Sequence, residues 1–124
     1  MSTLLIQNGR IITADQDYPA DIFIEKGIVT TIFEKINTPA DQIINAEGKF
    51  IIPGGIDAHT HLDMPLGDFN SSDNFESGTI AAAMGGTTTI LDFPTQLHNQ
   101  ALEKAVENWQ RKAEGKACID YGFH

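Results

Sequence analysis

The sequence predicts an α/β chain in two parts: a β-rich segment over residues 1–50, then strands alternating with helices over residues 51–124. Three observations predict this. Residues 1–50 hold short runs rich in Ile, Leu, Val and Phe, punctuated by Asn8-Gly9, Lys26-Gly27 and Glu47-Gly48. Beyond Pro53 two longer segments read as helices, one rich in Ala and one with apolar residues at helical spacing. Between these parts, the apolar run Phe50-Ile51-Ile52 leads into Gly54-Gly55-Ile56-Asp57-Ala58-His59-Thr60-His61, where two imidazoles stand two residues apart.

In the first part, Leu4-Leu5-Ile6-Gln7 and Arg10-Ile11-Ile12-Thr13 read as strands joined by a tight turn at Asn8-Gly9. Asp21-Ile22-Phe23-Ile24 and Ile28-Val29-Thr30-Thr31-Ile32 form a second hairpin about Lys26-Gly27. Gln42-Ile43-Ile44-Asn45 and Phe50-Ile51-Ile52 form a third pair flanking Glu47-Gly48. This segment carries no catalytic constellation and reads as a structural sheet. In the second part, a strand over Phe50 to Ile56 is followed by a helix over Phe75 to Met84, with Asp73 as its cap, Glu76 in its first turn and Gly85-Gly86 as its stop. Thr87-Thr88-Thr89-Ile90-Leu91 is a β-branched strand. A second helix, capped by Asn99 and ended by Gly115, places Leu102, Ala105, Val106, Trp109 and Ala113 on one face. Ala117 to Phe123 reads as a third strand. Strand, helix, strand, helix, strand implies crossover connections and a parallel sheet.

Composition narrows the function classes. Of the 124 residues, 41% are apolar and 20% charged, a globular balance. Seventeen acidic against eight basic residues give a formal charge of −9, which argues against nucleic acid and anionic membrane surfaces as partners. Cys118 is the lone cysteine and has no intrachain partner for a disulfide. Neither a signal-peptide pattern nor a membrane-length apolar run is present, so a cytoplasmic location is expected.

The candidate chemistry lies at His59 and His61, which read either as a metal-binding pair or as a strand-end turn that is simply His-rich. Side chains at i and i+2 of a strand share a face, so the two imidazoles converge on one point. Neutral imidazole is the commonest protein metal ligand, and a converging pair holds two corners of a coordination sphere. Asp57 shares that face by spacing; it is either an acceptor that orients an imidazole or one side of a strand-end hydrogen bond. Asp92, at the end of the second strand, reads as structural. His98, in a polar loop before a helix, reads as a solvated histidine.

Ile52-Pro53-Gly54-Gly55-Ile56-Asp57-Ala58-His59-Thr60-His61-Leu62-Asp63-Met64-Pro65 resembles the metal-binding signature of cyclic amidohydrolases, and most closely the hydantoinase and dihydropyrimidinase branch. Asp73-Asn74-Phe75-Glu76-Ser77-Gly78-Thr79, Gly85-Gly86-Thr87-Thr88-Thr89, Asp92-Phe93 and the closing Ile119-Asp120-Tyr121-Gly122-Phe123-His124 extend the resemblance, as does Ile6-Gln7-Asn8-Gly9. The resemblance implies a metal-dependent (β/α)8 barrel with a small β-sandwich built from both chain ends. Residues 1–50 would be the amino-terminal portion of the sandwich and residues 51–124 the first three β/α units of the barrel. It implies two divalent metal ions, zinc in most such enzymes, and attack of a metal-bridging hydroxide on the carbonyl of a small cyclic amide or ureide. The complete protein would be a homotetramer or homodimer.

Carried over residue by residue, His59 and His61 match two metal ligands. Leu62 to Phe69 matches a loop lining the pocket for the substrate's side group, which makes Met64, Leu66 and Phe69 substrate-binding candidates; an apolar loop covering a barrel top is the rival reading. Asp63 has no ligand role in the family pattern, His124 has none that the resemblance supplies, and Tyr121 does not match the family's oxyanion-stabilising tyrosine. The family's carboxylated lysine, further histidine ligands and catalytic aspartate belong to later strands. The 124 residues therefore read as an amino-terminal fragment, expected to be poorly stable alone, to bind zinc weakly and to hydrolyse nothing. Allantoinase and dihydroorotase are the rival enzymes; the dihydroorotase pattern sets an arginine where this chain has Leu62-Asp63-Met64. A non-catalytic scaffold of the collapsin-response kind is the rival outside enzymes, and such proteins lack the paired histidines.

Overall fold

In the computed structural model, which describes residues 2–124, Lys26 and Gly27 both take positive φ (53° and 78°). They fold strand β2 (Asp17–Glu25) back onto strand β3 (Ile28–Phe33), as the sequence predicts. Asn8-Gly9 behaves differently. It lies inside one continuous strand, β1 (Thr3–Ile12), where Asn8 has φ 61° and the register with β2 shifts between Ile6 and Gly9. The expected turn is a bulge. Asn8 N donates to the buried Asp21 carboxylate (2.8 Å), and Gly9 leaves space for Ile51, whose Cδ1 would lie 2.3 Å from an added Cβ.

Strands β4 (Gln42–Asn45) and β5 (Phe50–Ile51), expected to pair with each other, both run parallel to β1. The turn between them, closed by Lys49 N donating to Ala46 O (2.9 Å), steps the chain along β1 rather than reversing it. Ile11, Ala20 and Ile22 form the buried core of this unit, with Ile6, Tyr18, Ile24 and Ile51 against them. Val29, Ile32, Ile43 and Ile44 remain exposed.

Chain contacts divide the protein into two compact units, Met1–Pro53 and Gly54–His124. The expected strand over Phe50 to Ile56 is split accordingly. Pro53 has no N–H to give a ladder, so β5 ends before it and β6 (Gly55–Thr60) starts a separate sheet. The second unit continues with β7 (Pro65–Leu66), β8 (Phe69–Asn70), α1 (Phe75–Met84), β9 (Thr87–Asp92), α2 (Leu102–Ala113) and β10 (Asp120–Phe123). The order β10-β9-β6 is parallel throughout, and β7 and β8 form a small antiparallel pair of their own. This is a mixed α/β architecture with the alternation the sequence predicts.

Helix α1 occupies its expected residues, but its cap is Asn74 and not Asp73. Asn74 Oδ1 accepts from Glu76 N (2.9 Å) and Ser77 N (2.8 Å), while Ser77 Oγ accepts from Asn74 N (3.2 Å). Asp73 accepts from the Ser77 hydroxyl instead (3.0 Å). Helix α2 starts after Ala101 with no side-chain cap; Asn99 takes φ 61° in the preceding turn. The third strand is shorter than expected because Lys116 N and Ala117 N still donate to Ala113 O, prolonging the helix end. Phe75, Ile90, Trp109 and Ala113 form the buried core, with Leu62, Tyr121 and Phe123 packed against it. Among the described residues no helix is long and apolar enough to cross a membrane.

Candidate metal centre

The C-terminal ends of the three parallel strands bring together His59, His61, Asp92, Phe93 and His124. Active sites of parallel α/β sheets are built at that edge. His59 lies in β6 and His61 just beyond it; both are exposed, and their Nε2 atoms approach to 3.1 Å. A tetrahedral zinc with Zn–N of about 2.0–2.1 Å separates two of its nitrogens by about 3.3 Å. The pair thus already has nearly the bite that one metal needs. Among the described residues no third His, Cys, Asp or Glu joins them to complete a centre. The geometry fits two corners of a metal site.

The surroundings fix the rings. Phe93 lies with its centroid 4.5 Å from the His59 ring and 5.5 Å from the His61 ring, and it stacks on His124 at 4.3 Å. His124 Nε2 donates to Ala58 O (3.0 Å), which turns its ring onto the β6 backbone. Asp57 Oδ1 accepts from His59 N (3.1 Å), the strand-end hydrogen bond of its two sequence readings. Asp92 is fully buried: Oδ2 accepts from Thr60 Oγ1 and Leu62 N (2.8 Å each), and Oδ1 accepts from Trp109 Nε1 (2.8 Å). Asp63 Oδ2 accepts from Phe75 N at the start of α1 (3.1 Å), and Asp63 O accepts from Lys112 Nζ (2.6 Å), so it serves the loop.

Met64, Leu66 and Phe69 lie on and beside the β7–β8 pair that follows the imidazoles. Met64 is half-buried and held by Ser71, whose Oγ accepts from Met64 N (3.0 Å), while Leu66 and Phe69 are exposed. His98 is exposed and apart from the cluster, and Cys118 is an exposed free thiol. Sequence reasoning missed the parts played by Phe93 and Trp109. A buried indole N–H needs an acceptor, and a Trp on the apolar face of α2 beside a strand-end Asp was the available signal.

The amidohydrolase family matches residues 50–121, and the chain belongs to that family. Its sequence is similar to hydantoinases and dihydropyrimidinases. D-hydantoinase of Geobacillus stearothermophilus is 52% identical over 122 residues, covering 98% of this chain and 26% of the relative. Dihydropyrimidinase of Rattus norvegicus is 40% identical over 126 residues, covering 98% and 24%. A crystal structure of D-hydantoinase matches with a TM-score of 0.94 and 52% identity, over 98% of this chain and 26% of that one. The chain spans about a quarter of the length of these relatives.

Proposed function

We propose that the complete protein is a metal-dependent hydrolase that opens cyclic amide and ureide rings, 5,6-dihydropyrimidines or 5-substituted hydantoins. The observation that carries this reading is the 3.1 Å approach of His59 and His61 Nε2 at the C-terminal end of a parallel strand. Membership in the amidohydrolase family and similarity to relatives named D-hydantoinase and dihydropyrimidinase support it. In this reading residues 51–124 are the first three β/α units of a (β/α)8 barrel and residues 1–50 part of a small β-sandwich.

His59 and His61 would hold a metal ion through Nε2, each ring then carrying its proton on Nδ1 and offering the Nε2 lone pair. By resemblance to the family, two divalent ions, zinc in most such enzymes, would be bound in the complete protein, and His59 and His61 would hold one of them. When bound, the ions supply Lewis acidity, acidifying a water and polarising the ring carbonyl. The residues of this chain hold and orient. Phe93 walls the two imidazoles, and Met64, Leu66 and Phe69 border the substituent of the ring.

The test is hydrolysis of dihydrouracil and a series of 5-substituted hydantoins by the complete chain, loaded in turn with zinc, cobalt and manganese. Ring opening is expected with at least one metal. A well-folded, metal-loaded protein that opens none of these rings would overturn the reading.

A further inference from the structure

We propose that Asp92, anchored by Trp109, is the positioning residue that sets the distance and orientation of the two imidazoles. This rests on the reading of His59 and His61 as metal ligands. The sheet ladder alone does not fix them. The register of β6 against β9 is irregular between Asp57 and Thr60, which leaves Ala58 and His59 outside regular pairing, and His61 lies beyond the strand. Regular pairing resumes at Thr60, whose ladder partner is Asp92 itself.

The side chain of Asp92 then secures both neighbours of His61. Oδ2 accepts from Thr60 Oγ1 and from Leu62 N, each at 2.8 Å. Oδ1 is committed to Trp109 Nε1 at 2.8 Å, which ties the same carboxylate to α2. With no exposed surface, this group has no water to replace a lost partner, so rotation about its last torsion sacrifices three hydrogen bonds together. Leu62 is held a second way, since its Cδ2 sits where a Cβ on Gly78 of α1 would be, 2.5 Å away. The main chain of Asp92 adds to this: its carbonyl accepts from His124 N (3.0 Å), and the next residue, Phe93, is the wall of the imidazole pair. The carboxylate and the following ring at the end of β9 thus act on the segment that carries the two histidines, while the backbone carbonyl holds His124.

The carboxylate is needed for its two-sided acceptance. Asparagine at this position has one oxygen and one NH2. If its oxygen serves Thr60 and Leu62, its NH2 faces the indole N–H, donor against donor; flipped, it opposes Leu62 N–H. Removing the indole N–H by Trp109→Phe takes away that donor–donor opposition, leaving the NH2 unpaired but no longer opposed.

The experiment uses the complete protein as wild type, Asp92→Asn, Trp109→Phe and the double variant. Two readouts are taken. One is the ring 1H–15N spectrum of His59, His61 and His98 in metal-free protein, and the other is zinc affinity by chelator competition with the visible spectrum of the cobalt form. Asp92→Asn is expected to shift the ring signals of His59 and His61, to leave His98 in place, and to weaken zinc about tenfold or more. The double variant should recover part of both losses. A folded Asp92→Asn with unmoved His59 and His61 signals and wild-type affinity would overturn the proposal. Should Asp92→Asn not fold, Trp109→Phe decides, with smaller shifts at the same two rings expected and none overturning it. A wild type that binds no zinc would refute the ligand reading, while the metal-free ring signals still decide whether Asp92 positions the pair.

Discussion

Gly54 and Gly55 stand together at the entry to the strand that carries His59, yet the structure gives them unequal demands. A Cβ on Gly54 would lie 2.1 Å from Thr88 Oγ1, 2.3 Å from Thr88 Cγ2 and 2.7 Å from Thr88 Cβ. Rotating Thr88 removes the first two clashes but not the third, which is still about 0.7 Å short of the 3.4 Å at which ordinary contact begins. So Gly54→Ala must push β6 away from β9. Overpacking of this kind costs about 1–3 kcal/mol and moves backbone, here at the strand that aims the imidazoles. A Cβ on Gly55 would meet Thr87 Oγ1 at 3.3 Å, a contact that a small shift relieves, and Thr87 Cα and Gly86 O at ordinary contact distances of 3.5 and 3.6 Å. Neither glycine has positive φ, so the contrast is steric alone. We expect Gly54→Ala in the complete protein to lower the urea midpoint and zinc content clearly, Gly55→Ala to stay within about 0.5 kcal/mol, and Thr88→Gly to rescue Gly54→Ala in part. Equal effects of the two glycine variants, or no rescue, would refute the reasoning.

Three further outcomes follow from the geometry. Phe75→Ala, which empties a fully buried site beside Tyr121 and Phe123, should cost about 3–5 kcal/mol in denaturant unfolding. Asn74→Ala should cost about 1 kcal/mol through loss of the α1 cap, and Asp73→Ala less, measured the same way. Burial pushes the Asp21 carboxyl up, but hydrogen bonds from Ile36 N and Asn8 N, with the charge of Lys35, outweigh it and hold its pKa below the ordinary value. A depressed folded-state pKa gives stability that is present above the unfolded value of about 3.9 and is lost as pH falls through the folded one. Amide exchange at Asn8 and Ile36 should therefore stay protected at pH 5 and open at lower pH, and Asp21→Asn should reduce that protection at pH 5.

What the sequence disclosed depended on how local each determinant was. The Lys26-Gly27 hairpin was legible because two positive φ angles suffice for it, and nothing distant competes. Asn8-Gly9 carries the same signal, yet Asp21 takes Asn8 N and Ile51 fills the space over Gly9, partners that no local pattern reveals. The Glu47-Gly48 turn was visible, but whether it reverses the chain or carries it along β1 is decided by a strand about forty residues earlier. Asp73 and Asn74 are both able to cap, so sequence located the start of α1 to within one residue and the side-chain geometry chose between them. The imidazole pair was legible because i and i+2 spacing on a strand carries its own geometry. Its support was not, because Asp92 and Trp109 meet it through tertiary packing.

The most direct test of the central claim is zinc binding by the complete protein, as wild type, His59→Ala and His61→Ala, measured by calorimetric titration with metal analysis. If the two Nε2 atoms are ligands of one ion, each substitution removes a direct ligand and should weaken binding at that site by at least about 100-fold, beyond the range for residues that only support ligands. Circular dichroism should remain unchanged, since both rings are exposed. Wild-type zinc affinity and stoichiometry in either folded variant would contradict the account.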